Sequence, residues 1–441
     1  MNRLSIDSLR ARRAPLSLLL LGGLLAAGTQ PAQAQSNEEL AERIRQLEQR
    51  LEDSNKGNVS AQQRGGRIQF NSDDGNFTAR VGGRMLLDTA WYDEDISPMG
   101  GGTKFRQARL EASGTLYKHW SYVFQYDFTG SAEDGIKDAY LRYNNLDVAG
   151  TPVLVSLGNQ FLPFGFLGQQ SPKYTLFMEQ PNPSLMLGAG ARRLSLRADV
   201  LGDGWRWSTA VARAPLGSRA TDSNLDDPVD VATQVTYSPI RDKGHVLMFG
   251  ASFREQSSKG ADGHRLRTRP QTNLSPFRPV DTGAFVADGF SAAGAQAMYQ
   301  HGRFELETEY FQQKYDAIQG GAADGEKPEF TGAFVNAGVF LTGESRAYDP
   351  RLNVFGPPTP ARPLSQGGVG AWQLVASYST LELSDQSITG GQIDMASLGV
   401  NWFPEQRLRF TLEYGSVLKV DGGPNDGDEP SFVQARAQVE W

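Results

Sequence analysis

Residues 431–441 read SFVQARAQVEW, and the character of the side chains alternates along this stretch. The odd-numbered positions from 433 to 441 are Val, Ala, Ala, Val and Trp, whereas the even-numbered positions from 434 to 440 are Gln, Arg, Gln and Glu. Successive side chains of an extended chain point to opposite faces. A period of two therefore predicts a β-strand with one apolar face and one polar face.

The same period recurs along most of the chain. From residue 67 onward, alternating segments are separated by clusters of Gly, Asp, Asn and Pro, which are typical of turns. They predict sixteen strands, near residues 77–92, 105–117, 121–129, 135–143, 152–160, 192–200, 205–213, 229–238, 245–254, 290–300, 304–315, 329–342, 371–383, 393–404, 407–420 and 431–441.

The lengths of the connections also alternate. Short connections such as 202–204, 300–302 and 404–406 alternate with long ones such as 255–289 and 316–328. Short turns on one side and long loops on the other are typical of an outer-membrane barrel. The connection 343–370 is an exception, because it is long although its position falls on the side of the short turns.

These patterns predict an all-β protein, a transmembrane sixteen-stranded antiparallel β-barrel with a short N-terminal coiled-coil helix. A closed barrel satisfies its backbone hydrogen bonds within lipid and needs only one apolar face, which agrees with a mean hydropathy of -0.43. A soluble secreted β-sandwich or propeller shows the same alternation. The strand count, the aromatic-rich faces and the final Trp441 favour the barrel, since a terminal aromatic resembles the signal that the barrel-assembly machinery recognises.

Composition excludes several classes of function. The 441 residues include no cysteine, which removes disulfides and cysteine nucleophiles, and the net charge of -7 does not favour nucleic acid as a partner. The longest apolar run is too short for a helical membrane protein. The four histidines have no nucleophile signature near them, and the Asp-rich segments lack the spacing of a calcium loop. We therefore expect no enzyme activity, no metal and no cofactor.

The N-terminus predicts export. Arginines precede an apolar stretch over residues 14–28, and Ala32 and Ala34 complete an A-x-A site, so we expect residues 1–34 to be a signal peptide that is cleaved after Ala34. The mature chain would have 39 basic and 49 acidic residues, a net charge of -10. We therefore place it in the outer membrane of a Gram-negative bacterium, in contact with lipid and lipopolysaccharide.

Residues 35–54 predict a coiled-coil helix that is followed by a polar linker over residues 55–66. Hydrophobic residues recur with heptad spacing and predict a homotrimer, supported by an Arg and a Glu in a pattern found in short three-stranded coiled coils. A solvated amphipathic helix is the alternative. The residues that would form the trimer helix are Leu40, Arg43, Ile44, Leu47, Glu48 and Leu51.

Several motifs resemble the phosphate-selective porin O and P family, in the same order and at similar spacings from about residue 67 to residue 441. The motifs are FRQAR at 105–109, DAYLRY at 138–143, GNQFLPFG at 158–165, FME at 177–179, LTGESR at 341–346 and NWFP at 401–404. The resemblance implies a trimeric sixteen-stranded porin without catalytic activity, which passes small solutes, chiefly anions such as phosphate. It also implies that residues 161–191 fold into the lumen as a constriction loop.

The resemblance further implies which residues bind the anion. Lys173 is the first candidate for a pore ligand, with Ser171 as a hydroxyl donor beside it and Asp127 as an acid on the wall. The candidates for a ladder of arginines on the lumen wall are Arg109, Arg142, Arg193 and Arg197. The alternative for each cation is that it pairs with a lumen carboxylate and only maintains the shape of the barrel.

One segment argues against an anion pore. Glu305, Glu307 and Glu309 lie at alternate positions and are expected to form an acidic strip in the lumen, which favours cations unless arginines neutralise it. The constriction loop also reads GQQ at 168–170, where a more basic sequence is expected. A weakly selective porin for cations or neutral solutes is therefore an alternative. A further alternative is a porin whose coiled coil also tethers the outer membrane to the cell wall.

Overall fold

Residues 37–55, 59–64, 67–130, 134–188, 192–213, 215–216, 228–321 and 323–441 are described by a computed structural model. They contain strands, two helices and two 3₁₀ turns (Leu167–Gln169 and Leu364–Gln366). The helices and strands are α1 Asn37–Asn55, β1 Val59–Arg64, β2 Arg67–Ser72, β3 Thr78–Asp93, β4 Gly102–Leu116, β5 Trp120–Asp127, β6 Ile136–Val148, β7 Thr151–Phe161, α2 Asn182–Met186, β8 Arg192–Leu201, β9 Trp205–Ala212, β10 Val229–Asp242, β11 His245–His264, β12 Arg267–Thr268, β13 Val280–Asp281, β14 Phe285–His301, β15 Phe304–Tyr315, β16 Glu329–Phe340, β17 Arg346–Asp349, β18 Val354–Pro358, β19 Ala371–Asp385, β20 Ile388–Glu405, β21 Leu408–Asp421 and β22 Ser431–Glu440.

Sixteen of the described strands close an antiparallel barrel. Each pairs with its neighbour in the order β3–β11, β14–β16 and β19–β22, and β22 pairs with β3 from Ser431 opposite Asp93 to Glu440 opposite Arg84. The prediction of a sixteen-stranded antiparallel barrel is confirmed, and every predicted segment coincides with a barrel strand. The largest difference in length is β11, which extends ten residues beyond the predicted end at 254 to His264.

The closure of the barrel depends on a close approach at Gly83. The backbones of Gly83 and Trp441 exchange two hydrogen bonds, with N···O distances of 3.0 and 3.1 Å. A Cβ at position 83 would lie 2.5 Å from the Trp441 ring and 2.6 Å from the carbonyl oxygen of Arg109, so only glycine fits. Beyond Trp441, β2 takes over as the neighbour of β3.

The side chains of the barrel are inverted relative to those of a soluble protein. On β21, Phe410, Leu412 and Tyr414 are 44–54% exposed on the outer surface. At the alternate positions of the same strand, Arg409 and Glu413 are 2% exposed and point into the lumen. Because an apolar outer face matches hydrocarbon and a polar interior retains hydrogen bonds, this alternation is typical of a barrel that spans a membrane.

The N-terminal residues give a mixed outcome. Residues 57–441 form one compact unit, and α1 belongs to another. The predicted signal peptide over residues 1–34 lies outside the described residues, as do the side chains of Leu40 and Leu51. The helix α1 spans Asn37–Asn55, and its role as a coiled coil stays a prediction. In the predicted linker, by contrast, residues 59–64 form β1, which pairs with β2 in a hairpin.

The described helices include none that is long and apolar enough to cross a membrane.

The connection 343–370 has a structural explanation for its length. It forms the hairpin of β17 and β18 and folds back into the lumen from the side of the short turns. There, the buried Phe355 packs edge-to-face on Phe166 of the constriction loop, with ring centroids 6.4 Å apart. Arg206 of the wall donates to the carbonyl of Leu352 at 2.8 Å. The lumen is therefore filled from both ends, by the constriction loop and by this connection.

Candidate functional site

The described part of the constriction loop, residues 161–188, packs inside the barrel. Leu162, Phe164 and Phe177 are at most 2% exposed. Wall carboxylates accept hydrogen bonds from the backbone of the loop: Glu309 accepts from the N–H of Phe166 at 2.5 Å and from the next N–H at 3.1 Å. Buried backbone groups need such partners, because an unpaired buried N–H is costly. These wall carboxylates therefore fix the loop in the lumen.

Wall arginines bind the carbonyls of the same loop. Arg409 donates to the carbonyls of Thr175 and Leu176, both at 2.7 Å. Arg436 donates to the carbonyl of Met178 at 2.6 Å and pairs with Asp88 at 2.7 Å. These cations hold the loop, and their donors are already used.

Lys173, the first candidate for a pore ligand, also binds across the contact between the loop and the wall. It is 5% exposed, and its Nζ lies 3.0 Å from Glu440 and 3.9 Å from Glu111. Burial lowers the pKa of its amine, an effect that the two carboxylates oppose. Ser171 accepts a hydrogen bond from Arg84 at 3.0 Å. The structure thus places both residues in the contact between loop and wall, the alternative that the sequence left open.

The predicted acidic strip is present but compensated. Glu305, Glu307 and Glu309 all lie on the lumen face of β15 and are at most 5% exposed. Arg346, from the connection 343–370, donates to Glu305 at 2.5 Å and also to Glu307. Gln373 donates to Glu305 as well. Since the third carboxylate binds the constriction loop, the strip is a structural element of the filled lumen.

The first two ladder candidates lie on neighbouring parts of the wall. Arg109 on β4 pairs with Asp127 on β5 at 3.0 Å, and Asp127 also accepts from Thr129 at 2.8 Å. Arg142 on β6 lies over the ring of Tyr140, 5.0 Å from its centroid, and its Nε has no hydrogen-bond partner. Asp127 therefore orients Arg109, while Arg142 keeps a buried N–H donor unused.

The other two ladder candidates lie on β8. Arg197 pairs with Asp199 at 2.9 Å and donates to the carbonyl of Phe161 at the start of the constriction loop. Arg193 lies 3.9 Å from Asp230. All four ladder candidates are thus carried by β4, β6 and β8, on one part of the wall.

A cavity of about 380 Å³ lies between this part of the wall and the constriction loop. Two carboxylates line it, those of Asp127 and Glu179. The lining also includes four cationic side chains, those of Arg106, Arg109, Lys137 and Arg192. The lining therefore has a formal charge of +2, although the chain as a whole is acidic.

A sequence profile of the family described as phosphate-selective porin O and P matches residues 79–441, most of the chain. The chain belongs to this family. The porin is therefore an outer-membrane channel, which agrees with its apolar outer face and polar lumen.

The individual relatives and solved structures have low sequence identity to this chain. The porin is 28% identical over 365 residues to an uncharacterized protein of Caulobacter vibrioides, covering 79% of this chain and 70% of the relative. It is 24% identical over 416 residues to Porin O of Pseudomonas aeruginosa, covering 83% and 90%. Its fold is similar to that of the anion-selective porin from Comamonas acidovorans, with a TM-score of 0.50 and 13% identity, covering 83% of this chain and 100% of that one.

Sequence parity alone misses Arg106 as a lumen residue of the porin. Strict alternation from Arg109 places position 106 on the lipid face. In β4, however, the partners of Leu86 and Leu87 are Gln107 and Phe105, so a β-bulge inserts Arg106 as an extra residue. A bulge redirects a side chain. Arg106 consequently reaches into the lumen, where it binds Glu179 through two hydrogen bonds at 2.7 and 3.1 Å.

Two of the other cavity cations were also absent from the predicted set. Lys137 follows the loop between β5 and β6, and its amine donates to the carbonyl of Asp134 at 2.5 Å, a neutral acceptor. Arg192 pairs with Asp138 at 2.9 Å and lies over the ring of Phe161. The DAYLRY motif begins at Asp138, so the motif indicated this region of the wall without identifying the cations themselves.

Glu179, the acid of the FME motif, lies on the constriction loop between two arginines. Burial alone would raise its pKa, but Arg106 and Arg436 lower it to about 2. The carboxylate is thus ionised at neutral pH and links the loop to strands β4 and β22 of the wall. It orients Arg106 beside the cavity.

Proposed function

We propose that the porin passes small anions by diffusion, with phosphate or a similar oxyanion as the preferred solute. The cavity supports this proposal, because four cationic side chains and two carboxylates line it. Its position between the constriction loop and β4, β5, β6 and β8 suits a solute path along this wall. The net charge of the whole chain does not determine the field inside such a narrow passage.

The chemistry of passage follows from the type of donors. Arginine and lysine replace the water around an oxyanion with charge-assisted hydrogen bonds. Arg106, Arg109 and Arg192 are held in place by carboxylates, so they present their remaining N–H groups in fixed directions. Because those carboxylates also weaken each site, the anion can leave again, as conduction requires. Arg142, Arg193 and Arg197 would continue the path along the wall.

The acidic strip, which was the main argument for a cation pore, does not face an open path in the described residues. The acidic strip over Glu305 and Glu307 is bound by Arg346, and Glu309 is bound by the constriction loop. These carboxylates are buried beneath other groups instead of lining the cavity. We therefore do not assign the strip a role in selecting cations.

A weakly selective porin is the second candidate, and one observation favours it. Three of the four cavity cations pair with a carboxylate, which leaves little excess charge along the path. Such a porin would pass neutral solutes and both signs of ion at similar rates.

Reversal potentials in planar bilayers under a salt gradient test both candidates. We expect anion selectivity, and we expect Lys137→Glu to shift the reversal potential toward that of a cation pore, because it lowers the charge beside the cavity by two. Lys419→Glu is the matched control, since Lys419 is 43% exposed and pairs with Asp421 at the end of β21. A wild-type porin without selectivity supports the second candidate, and a cation-selective one refutes the first.

We further propose that the porin is a homotrimer held in part by α1. Ile44 and Leu47, the two members of the apolar seam whose side chains the structure describes, are 53% and 54% exposed on α1. Two heptads are marginal in isolation but gain stability when barrels already hold the chains together. Sedimentation of Ile44→Lys in detergent tests this: a trimer as stable as wild type would exclude a role for the seam.

A further inference from the structure

Two short turns lie side by side at one end of the barrel. One joins β10 to β11 over residues 242–245, and the other joins β14 to β15 over residues 301–304. The N–H of Gly302 donates to the carbonyl of Gly244 at 2.7 Å, which holds the two turns together. Because the short turns of such barrels are periplasmic, this rim lies at the leaflet of the outer membrane that consists of phospholipid.

Hydrogen-bond donors gather at this rim. His245 and His301 are paired across β11 and β14, and their rings meet edge-to-face with centroids 4.6 Å apart. Lys243 and Arg303 lie in the two turns, and both are exposed. Within the described residues, neither of these cations forms an ion pair and neither imidazole forms a hydrogen bond. The carboxylate of Asp242 lies opposite His245, so the two turns have a formal charge of +1 with neutral imidazoles.

An apolar groove on the outer surface begins at the same rim. Its first part is a cavity of about 360 Å³, which Tyr299 and Phe304 line at the rim. The ring of His301 lies parallel to that of Tyr299, with the centroids 6.3 Å apart, and His301 is opposite Phe304 in the register. The guanidinium of Arg303 lies over the Phe304 ring, 4.9 Å from its centroid. The donors and the groove are therefore continuous.

The groove continues across the wall toward the side of the long loops. A second cavity, of about 570 Å³, shares the lining residues Ala337, Ala376 and Leu398 with the first. It reaches Leu418, near the end of β21. The short side chains of the two alanines leave a depression between larger exposed ones such as Tyr414. A groove that runs from the rim across the lipid-facing wall suits the acyl chain of a lipid.

The groove alone would not select a lipid. Hydrocarbon surrounds this face of the barrel, so an acyl chain that enters the groove removes no apolar surface from water. It gains only close contacts on several sides. Selection must therefore come from the rim, where arginine and lysine bind phosphate through charge-assisted hydrogen bonds and an imidazole donates through an N–H group.

We propose that this rim binds an anionic glycerophospholipid, with its phosphate at Lys243 and Arg303 and one acyl chain in the groove over Ala376. The two imidazoles donate hydrogen bonds to the same headgroup. A second copy of the chain would also fit an apolar groove, but it would not account for the unpaired cations at its end. The site lies outside the lumen, so the inference does not depend on which solute the porin passes.

Native mass spectrometry of the full-length porin in detergent tests the headgroup. The porin is mixed with equal amounts of phosphatidylglycerol and phosphatidylcholine that have the same acyl chains, and we expect it to retain phosphatidylglycerol preferentially. Because a surface cation contributes about a factor of five to the binding of an anionic lipid, Lys243→Gln and Arg303→Gln should each lower the preference about fivefold. Lys118→Gln is the control, since it removes the same charge from the short turn between β4 and β5, and it should leave the preference unchanged.

A substitution in the floor tests the groove. Ala376→Phe fills the depression and should lower the retention of phosphatidylglycerol. Ala293→Phe is the control, because Ala293 is exposed on β14 but does not line the groove, and it should retain the lipid as wild type does. Sedimentation of the same samples identifies the other occupant: a wild-type porin that binds no lipid and a trimer that dissociates in Ala376→Phe would assign the groove to a second copy and overturn the proposal.

Two further results would overturn the inference. One is equal retention of the two lipids by the wild-type porin. The other is a preference that Lys118→Gln lowers as much as Arg303→Gln does, since the field of the whole periplasmic end would then explain it. Neither result bears on the proposed anion selectivity, which the reversal potentials test separately.

Discussion

Arg346→Gln should destabilise the barrel more than any removal of a single wall carboxylate. Arg346 is 4% exposed, and its guanidinium binds Glu305 at 2.5 Å, Glu307, and the carbonyl of Tyr174 at 2.6 Å. Its loss leaves two buried carboxylates without their cation. Removal of one partner from a buried ion pair typically costs about 3–5 kcal/mol, because the remaining charge is uncompensated.

A triple variant isolates the electrostatic part of this loss. Glu305→Gln, Glu307→Gln and Arg346→Gln together remove all three charges and retain groups that form hydrogen bonds. Because a buried ion pair contributes little compared with a neutral replacement, the triple variant should recover most of the stability that the single variant loses. Its free energy of unfolding should therefore depart strongly from the sum of the separate effects.

Equilibrium unfolding in detergent, followed by tryptophan fluorescence, measures these differences. Reversal potentials measured on the same samples should show that the single variant shifts toward cations and that the triple variant does not. The reasoning is refuted if Arg346→Gln is as stable as wild type. It is also refuted if the triple variant is no more stable than Arg346→Gln, since the loss would then come from the missing packing on Phe355 and not from charge.

Three other predictions concern the loop and the closure of the barrel. Lys173→Met should loosen the constriction loop and so increase the noise of the single-channel current. It should leave the sensitivity of the chloride current to block by added phosphate as in wild type. A variant that has lost this sensitivity would show that Lys173 is a ligand after all. The pKa of Glu179 is lowered to about 2, so its contribution to stability, roughly 3 kcal/mol, should be complete above the ordinary value near 4.5 and disappear as the pH falls toward 2. The difference in unfolding free energy between wild type and Glu179→Gln measures it, and a difference that persists at pH 2 would contradict this assignment. Gly83→Ala should lower the temperature at which the folded form disappears on a gel, because the new methyl group forces the Trp441 ring away. Gly102→Ala is the control and should not lower it, since nothing lies within 4 Å of a Cβ at that position. Equal temperatures for the two variants would contradict the close approach at Gly83.

The wall of the barrel could be predicted from sequence because its physics is local. A strand exposes one face to lipid and one to the lumen, so the alternation of residues such as Arg409 and Phe410 indicates both the strand and its orientation. The alternation gives the wrong face for Arg106, and the cause is equally local. A single inserted residue reverses the parity, and no pattern within one strand indicates where the partner strand skips a residue.

The contents of the lumen could not be predicted in the same way. The family resemblance made Lys173 the first candidate for a pore ligand and did not indicate Lys137. Only the fold shows that Lys173 meets Glu440 while Lys137 lies beside the cavity. The same holds for Arg346, which is far in sequence from the carboxylates that it binds. Ion pairs between distant segments depend on how the loops fold, and composition does not contain that information.

The edge-to-face contact of Phe166 with Phe355 has a consequence for how such proteins diversify. The cylinder is held by backbone hydrogen bonds, whereas the passage is shaped by side chains on two connections that meet at this contact. Substitutions on either connection can thus change what fills the lumen without altering the hydrogen-bonded ladder. The interior and the cylinder can therefore vary in sequence independently of each other.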